Sequence, residues 1–270
     1  MLLKSYIKET FETKRYYLTI KETLMTKKDC LVIAHRGASK YKPENTLLAY
    51  DLALKIGVDY LELDVQLTKD QVPVVYHDSD LSKKTDIKGS IQDYTYEEIK
   101  NLDVGKWFGE EYRGTKLVNF ETVLRLYGNQ FNYFLEIKNP TDGIEQIIFN
   151  LFEKYRIDLT NHRVVIQSFD QNCLLKVREM DANIPINQLI LKKTEEEMPY
   201  SLTEISTYAE GLGINQSNVN EQLLSEANRI GLKIYPYTVN DSEKMQQFID
   251  MGVTGIISDC PDLVKSLNLN

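Results

Sequence analysis

YLELDVQL, residues 60–67, decides the fold, because Leu61, Leu63 and Val65 alternate with the acids Glu62 and Asp64. Strict alternation is the signature of a β-strand, whose successive side chains point to opposite faces. One face of this strand is apolar and the other carries two carboxylates. A second stretch, YFLEIK (133–138), repeats the pattern, with Glu136 and Lys138 two residues apart on one face. Outward from these two lie further β-like runs: LVIAH (31–35), VVIQSF (164–169), INQLIL (186–191), GLGIN (211–215), KIYPYTV (233–239) and GIIS (255–258). Amphipathic stretches separate them, among them TLLAYDLALKIG (46–57), EQIIFNLFEKY (145–155) and EQLLSEANRIG (221–231), the last ending in Gly231 as helix C-termini often do. Strands alternating with helices predict a parallel sheet, and eight such units predict a (β/α)8 TIM-type barrel. An open doubly wound sheet is the alternative.

The length of 270 residues suits one domain of this kind. Residues 79–117 break the rhythm with short polar pieces and KWFGEEYRG, too long for an ordinary βα-loop. They predict a small insertion after the second strand, at the face where barrel enzymes build their active sites. Residues 1–30 form an N-terminal extension ahead of the barrel domain of 31–270. Leu3, Ile7 and Phe11, then Tyr17, Ile20 and Leu24, recur at helical spacing. A helix packed on the domain is the expectation for it, with an oligomer contact as the other use.

A formal charge of −8 disfavours general affinity for nucleic acid or anionic membrane. Cys30, Cys173 and Cys260 are odd in number and widely spaced, which predicts reduced thiols and no zinc site. No run reaches the ~18 apolar residues of a membrane span, and the N-terminus lacks the apolar core of a signal peptide. The expected compartment is the cytoplasm, with no membrane insertion.

Chemistry concentrates at strand ends. Of three histidines, His35 (AHRGAS) and His77 (PVVYHDSD) each follow a β-like run, where barrel catalysts stand. His162, in a polar NHR segment before a strand, belongs to the opposite end and has no expected role. In a closed barrel Glu62, Asp64 and Glu136 all point inward. Buried salt bridges to Arg36 and Lys138 would satisfy one pair, but three acids exceed the nearby cations. A hard divalent cation removes the surplus. Arg36 precedes Gly37, whose missing side chain would let a ligand approach the backbone, and its guanidinium suits a phosphate. Lys138 adds a second positive charge. In PENT (43–46), Glu44 or Asn45 would cap a helix, and Glu44 would also steady Arg36, which puts it with Arg36 and Lys138 among the expected substrate-binding residues. Two histidines, three acids and two cations make a phosphodiester-cleaving set.

AHRGASKYKPENTLLAY, ELDVQLTKDQVPVVYHD, LEIK, YPYTVN and GVTGIISDCPDLV resemble, in order, the signature blocks of the glycerophosphodiester phosphodiesterase family. The resemblance runs over about residues 31–265. It implies a TIM-type barrel with a small insertion that cleaves glycerophosphodiesters to glycerol 3-phosphate and an alcohol. It also implies His35 and His77 as the catalytic pair, Glu62, Asp64 and Glu136 as ligands of Mg2+ or Ca2+, and Arg36 and Lys138 as phosphate contacts. The implied mechanism has the glycerol 2-hydroxyl attack phosphorus to give a cyclic phosphate that water opens. His35 is the base and His77 the acid in the first step, with the roles reversed in the second, an assignment the residues alone do not fix. Three departures stand out: Tyr237 where the family usually has Trp, Gln71 where it often has Gly, and Leu81-Ser-Lys-Lys-Thr85 where an LxRTT-like run is common. Tyr237 and the insertion are expected to line the substrate pocket, which adds Tyr237 to Arg36, Lys138 and Glu44 as an expected substrate-binding residue. The competing reading is a phospholipase D-like or C-like hydrolase acting on lysolipid, for which Trp107 and Phe108 are the best lipid-contact candidates.

Overall fold

The computed structural model describes residues 30–191 and 199–269. The expected helix of the N-terminal extension therefore lies outside the described residues, apart from Cys30. Among the described residues ten strands form, in chain order: β1 (Leu31–Ala34), β2 (Tyr60–Leu67), β3 (Pro73–Val75), β4 (Val118–Asn119), β5 (Tyr133–Ile137), β6 (Val164–Ser168), β7 (Ile186–Ile190), β8 (Gly211–Asn215), β9 (Lys233–Tyr237) and β10 (Gly255–Ser258). Eight run parallel in the order β10-β1-β2-β5-β6-β7-β8-β9. The ring closes where Thr254 N donates to Ile234 O and Val239 N to Ile257 O, both at 3.0 Å, joining β9 to β10. Each of the eight expected runs contains one of these barrel strands.

Around the ring, among the described residues, lie seven helices of eight residues or more: α1 (Leu47–Ile56), α2 (Phe120–Tyr127), α3 (Ile144–Lys154), α4 (Gln171–Met180), α5 (Glu221–Arg229), α6 (Ser242–Asp250) and α7 (Pro261–Asn268). Among the described residues between β7 and β8, one helical turn forms, Leu202–Ile205. Local chemistry starts these helices: Asn119, Asp170, Asn220 and Asp241 each accept a backbone N–H of the first turn. The cap of α1 is Thr46, whose Oγ1 accepts from Ala49 N; neither Glu44 nor Asn45 takes that place. Gly231, just past α5, adopts φ 75°, the left-handed terminus expected of it.

The two faces of β2 go to two cores. Leu61, Leu63, Val65 and Leu67 join the large apolar layer between strands and helices. Burying each such side chain contributes roughly 1.5–3 kcal/mol. On the inner face, Tyr60 joins Ile33, Phe134, Val165, Tyr235 and Ile257 in a cluster filling the barrel floor. Gly211 and Gly213 face crowded space there, since a Cβ on Gly213 would lie 2.4 Å from Leu189 Cδ2. Gly37 also has a packing reason. A Cβ on it would meet Ala49 at 2.7 Å, so α1, and not a ligand, occupies the space its missing side chain leaves.

The region after β2 holds two strands the sequence reading did not count. The upper half of β2 pairs antiparallel with β3, and β3 with β4, forming an arm outside the ring. Strands of three and two residues are too short to show a period. Residues 79–117 fold over this arm on their own small cluster, in which Val74, Tyr76, Leu81, Ile91, Ile99, Val104 and Leu117 are buried. At the turn into β3, Gln71 sits at φ 60°, a left-handed conformation that costs a side-chain-bearing residue about 1–2 kcal/mol.

Candidate active site and metal centre

The inner faces of β2 and β5 set the site. Asp64 pairs in register with Glu136, and Glu136 with Gln167 on β6, so these side chains form a row across the barrel mouth. Glu62, Asp64 and Glu136 are all buried, and one oxygen from each lies within 4.8 Å of the others. Among the described residues this is the one acidic cluster of that kind.

Their surroundings differ. Glu62 accepts Arg36 N at 2.8 Å and Gln167 Nε2 at 3.2 Å, with no side-chain cation bonded to it. Burial, then repulsion from Asp64 and Glu136, raises its pKa well above the ordinary range. Glu136 bonds Lys138 Nζ at 2.8 Å, yet burial and Asp64 still push it up to about 7. Asp64 behaves oppositely: despite the cost of burial, Arg36 and Lys138 hold it well below the usual carboxylate range. Arg36 Nε lies 3.3 Å and Lys138 Nζ 3.8 Å from its oxygens, and Asn45 Nδ2 donates to it at 2.8 Å. Its Oδ1 is nonetheless buried without a hydrogen-bond partner. An orphaned carboxylate oxygen beside two acids resisting ionisation is the donor set a hard divalent cation takes, and these three residues fit one.

His35 follows β1 directly, as a barrel catalyst does. Its Nδ1 lies 2.6 Å from Asp259 Oδ1, and that carboxylate also accepts Ser39 Oγ and Asn240 Nδ2, at 2.8 and 2.6 Å. The carboxylate fixes the proton on Nδ1 and leaves Nε2 as an acceptor. Burial and the neighbouring Arg36 lower the His35 pKa, against the pull of Asp259. The expectation that His77 also ends a barrel strand is corrected. It follows β3, which turns back down along β2 until Tyr76 N donates to Asp64 O at 3.1 Å. The antiparallel arm thus delivers His77 at the height of the acids. Its Nδ1 lies 3.1 Å from Asp78 Oδ1.

One cavity of about 360 Å3 gathers His35, Arg36, Glu62, His77, Glu136 and Lys138 on one side. Gln167, Phe169, Leu189, Asn215, Gln216, Tyr237, Thr238 and Ile257 complete its wall. Tyr237 contributes its ring, while its hydroxyl donates to Ile190 O at 2.8 Å. Glu44 is not part of the wall. Its Oε1 accepts Arg36 Nη1 at 2.9 Å and Lys84 Nζ at 2.7 Å, so it steadies Arg36. Arg36 itself sits at φ 57°, a strained position of the sort found at functional sites. His162 lies at the opposite end, where its backbone carbonyl accepts Tyr60 Oη. The sequence reading missed Asp259, Asp78 and Lys84. Asp259 carried a usable signal, since it stands one residue past β10 as His35 stands one past β1.

A model of the glycerophosphoryl diester phosphodiesterase family matches residues 35–263. The chain belongs to this family. It is a hydrolase with the family's TIM-type barrel. A glycerophosphodiester phosphodiesterase of Bacillus subtilis (strain 168) is 38% identical over 258 residues, spanning 90% of this chain and 88% of its own. One from Caldanaerobacter subterraneus subsp. tengcongensis is 36% identical over 241 residues, 88% of this chain and 97% of its own. An Oleispira antarctica phosphodiesterase, solved in complex with the product sn-glycerol-3-phosphate, aligns with a TM-score of 0.80 at 27% identity. That alignment spans 89% of this chain and 97% of the other. Cys30, Cys173 and Cys260 are buried and unpaired. No helix among the described residues is long and apolar enough to cross a membrane.

Proposed function

We propose that the protein hydrolyses glycerophosphodiesters to glycerol 3-phosphate and an alcohol, in a reaction that depends on Mg2+ or Ca2+ held by Glu62, Asp64 and Glu136. The observation carrying this reading is that two carboxylate-oriented histidines, two cations and the acids Glu62 and Glu136 line one cavity, with an oxygen of the fully buried Asp64 within 4.8 Å of both acids. When bound, the cation neutralises the acids and offsets charge on the phosphoryl oxygens. Arg36 and Lys138 grip the phosphate's remaining oxygens. His35 is the better first base, because its lowered pKa keeps it neutral and Asp259 leaves Nε2 free to accept. It takes the proton of the glycerol 2-hydroxyl as that oxygen bonds to phosphorus. The bond from phosphorus to the departing alcohol breaks, and His77 supplies the proton the alkoxide requires. Water then opens the cyclic phosphate with the two roles reversed. The ring of Tyr237 and the neutral wall beside it hold the organic part of the substrate.

The internal hydroxyl can be tested directly. Holding a nucleophile beside its target is worth ~7–11 kcal/mol of barrier. A 2-deoxyglycerol analogue of glycerophosphocholine is expected to inhibit competitively and hardly turn over. Rapid turnover of that analogue would show direct attack by water.

A further inference from the structure

Lys84, in the insertion, reaches the mouth of the barrel without lining the cavity. Its Nζ lies 2.7 Å from Asp78 Oδ2 and 2.7 Å from Glu44 Oε1. Each of those carboxylates holds a residue that does line the cavity: Asp78 holds His77, and Glu44 holds Arg36. The lysine is itself well fixed. Its backbone N–H bonds Leu81 O, and its ammonium sits 5.7 Å from the Tyr76 ring centre and 5.2 Å from that of Trp107. Its side chain is only 12% exposed, so water screens these ion pairs poorly. Three separate segments are thereby tied at one nitrogen: the β1–α1 loop through Glu44, the end of the antiparallel arm through Asp78, and the insertion itself.

We propose that Lys84 is a positioning residue that sets His77 for proton donation to the leaving alcohol and Arg36 for the phosphate, so that the insertion governs catalysis through a single ammonium. This rests on the reading that His77 is the acid of the first step. Without Lys84, the Asp78 carboxylate is bonded only through His77 and is free to swing, taking the imidazole with it, although the Asp78 backbone carbonyl still accepts Gln66 Nε2. Glu44 likewise keeps only Arg36. Groups that orient a catalytic residue in this way typically carry roughly 10–100-fold in activity.

The test compares Lys84→Met with Lys84→Arg and wild-type enzyme on two substrates. Glycerophosphocholine has a leaving alkoxide that needs a proton; the p-nitrophenyl ester of glycerol phosphate has one that does not. Lys84→Met is expected to lower kcat on glycerophosphocholine by roughly 10–100-fold. It should leave the first-turnover rate of p-nitrophenolate release nearly unchanged, since that step needs no acid, and raise KM on both substrates, and Lys84→Arg should restore most of the loss. In a His77→Ala background, Lys84→Met should lower kcat no further. An equal loss in the first-turnover release of choline and of p-nitrophenolate, or a folded Lys84→Met with normal kcat on glycerophosphocholine, overturns the proposal while leaving the function intact. If His77→Ala alone keeps normal kcat, the reading of His77 fails and the proposal fails with it. Should Lys84→Met not fold, Lys84→Gln carries the same comparison.

Discussion

The floor and the mouth of the barrel are built by the same strands, two residues apart. At the floor stand Tyr60, Phe134, Val165 and Tyr235, buried together with Ile33 and Ile257. One period further along stand Glu62, Glu136, Gln167 and Tyr237, which line the cavity. The floor is a packing problem solved by edge-on rings, Phe134 lying 5.2 Å from Tyr60 and 5.0 Å from Tyr235. The mouth is an electrostatic problem left open, with two acids driven toward protonation and a carboxylate oxygen without a partner. The same inward direction thus serves stability at one level and chemistry at the next. The difference lies in whether the side chains satisfy one another or await something else.

The comparison breaks if a mouth residue proves structural or a floor residue catalytic. His35→Ala and His77→Ala are each expected to lower kcat by ~10²–10⁴-fold with little change in Tm, measured by steady-state kinetics and calorimetry. Phe134→Ala should do the converse. It is expected to cost about 3–5 kcal/mol in urea unfolding, with kcat largely kept well below its Tm. A Phe134→Ala enzyme that is stable but inactive would erase the distinction between the levels.

A smaller effect sharpens it. Glu136 has its folded pKa raised from 4.5 to about 7. A group raised on folding adds stability below its unfolded pKa, and this contribution is lost as pH rises through the folded value. Metal-free wild-type protein should therefore lose stability between about pH 4.5 and 7 relative to Glu136→Gln, in parallel denaturant titrations across that window. Added divalent cation should remove the loss in the wild type and have a weaker effect on the variant. Identical pH slopes for the two would mean that the mouth acids are already satisfied by Arg36 and Lys138.

How much of this was visible in the sequence depends on the range of each interaction. The alternation of Glu62 and Asp64 with leucines is local, so their shared inward face could be read from eight residues. The barrel followed from the same rhythm repeated. What stayed hidden needs partners far along the chain. Asp259 reaches His35 across 224 positions, and Lys84 reaches Glu44 across 40. Asn45 looked like a helix cap but spends its amide on Asp64, leaving the cap to Thr46. Gly37 suggested a ligand, yet what comes close is Ala49. The run before His77 was legible, but its antiparallel pairing into an arm outside the ring was not, because β3 and β4 are only three and two residues long.

The central claim joins the three acids, the two histidines and the direction of cleavage, and phosphorus NMR of one reaction tests it. Glycerophosphocholine is incubated with the enzyme and Mg2+ or Ca2+, and a parallel sample receives excess EDTA. The expected spectrum shows substrate converting to glycerol 3-phosphate, with a transient cyclic glycerol phosphate, and no conversion in the chelated sample. A phosphocholine signal would place cleavage on the other side of phosphorus, and full turnover in EDTA would leave Glu62, Asp64 and Glu136 without their cation.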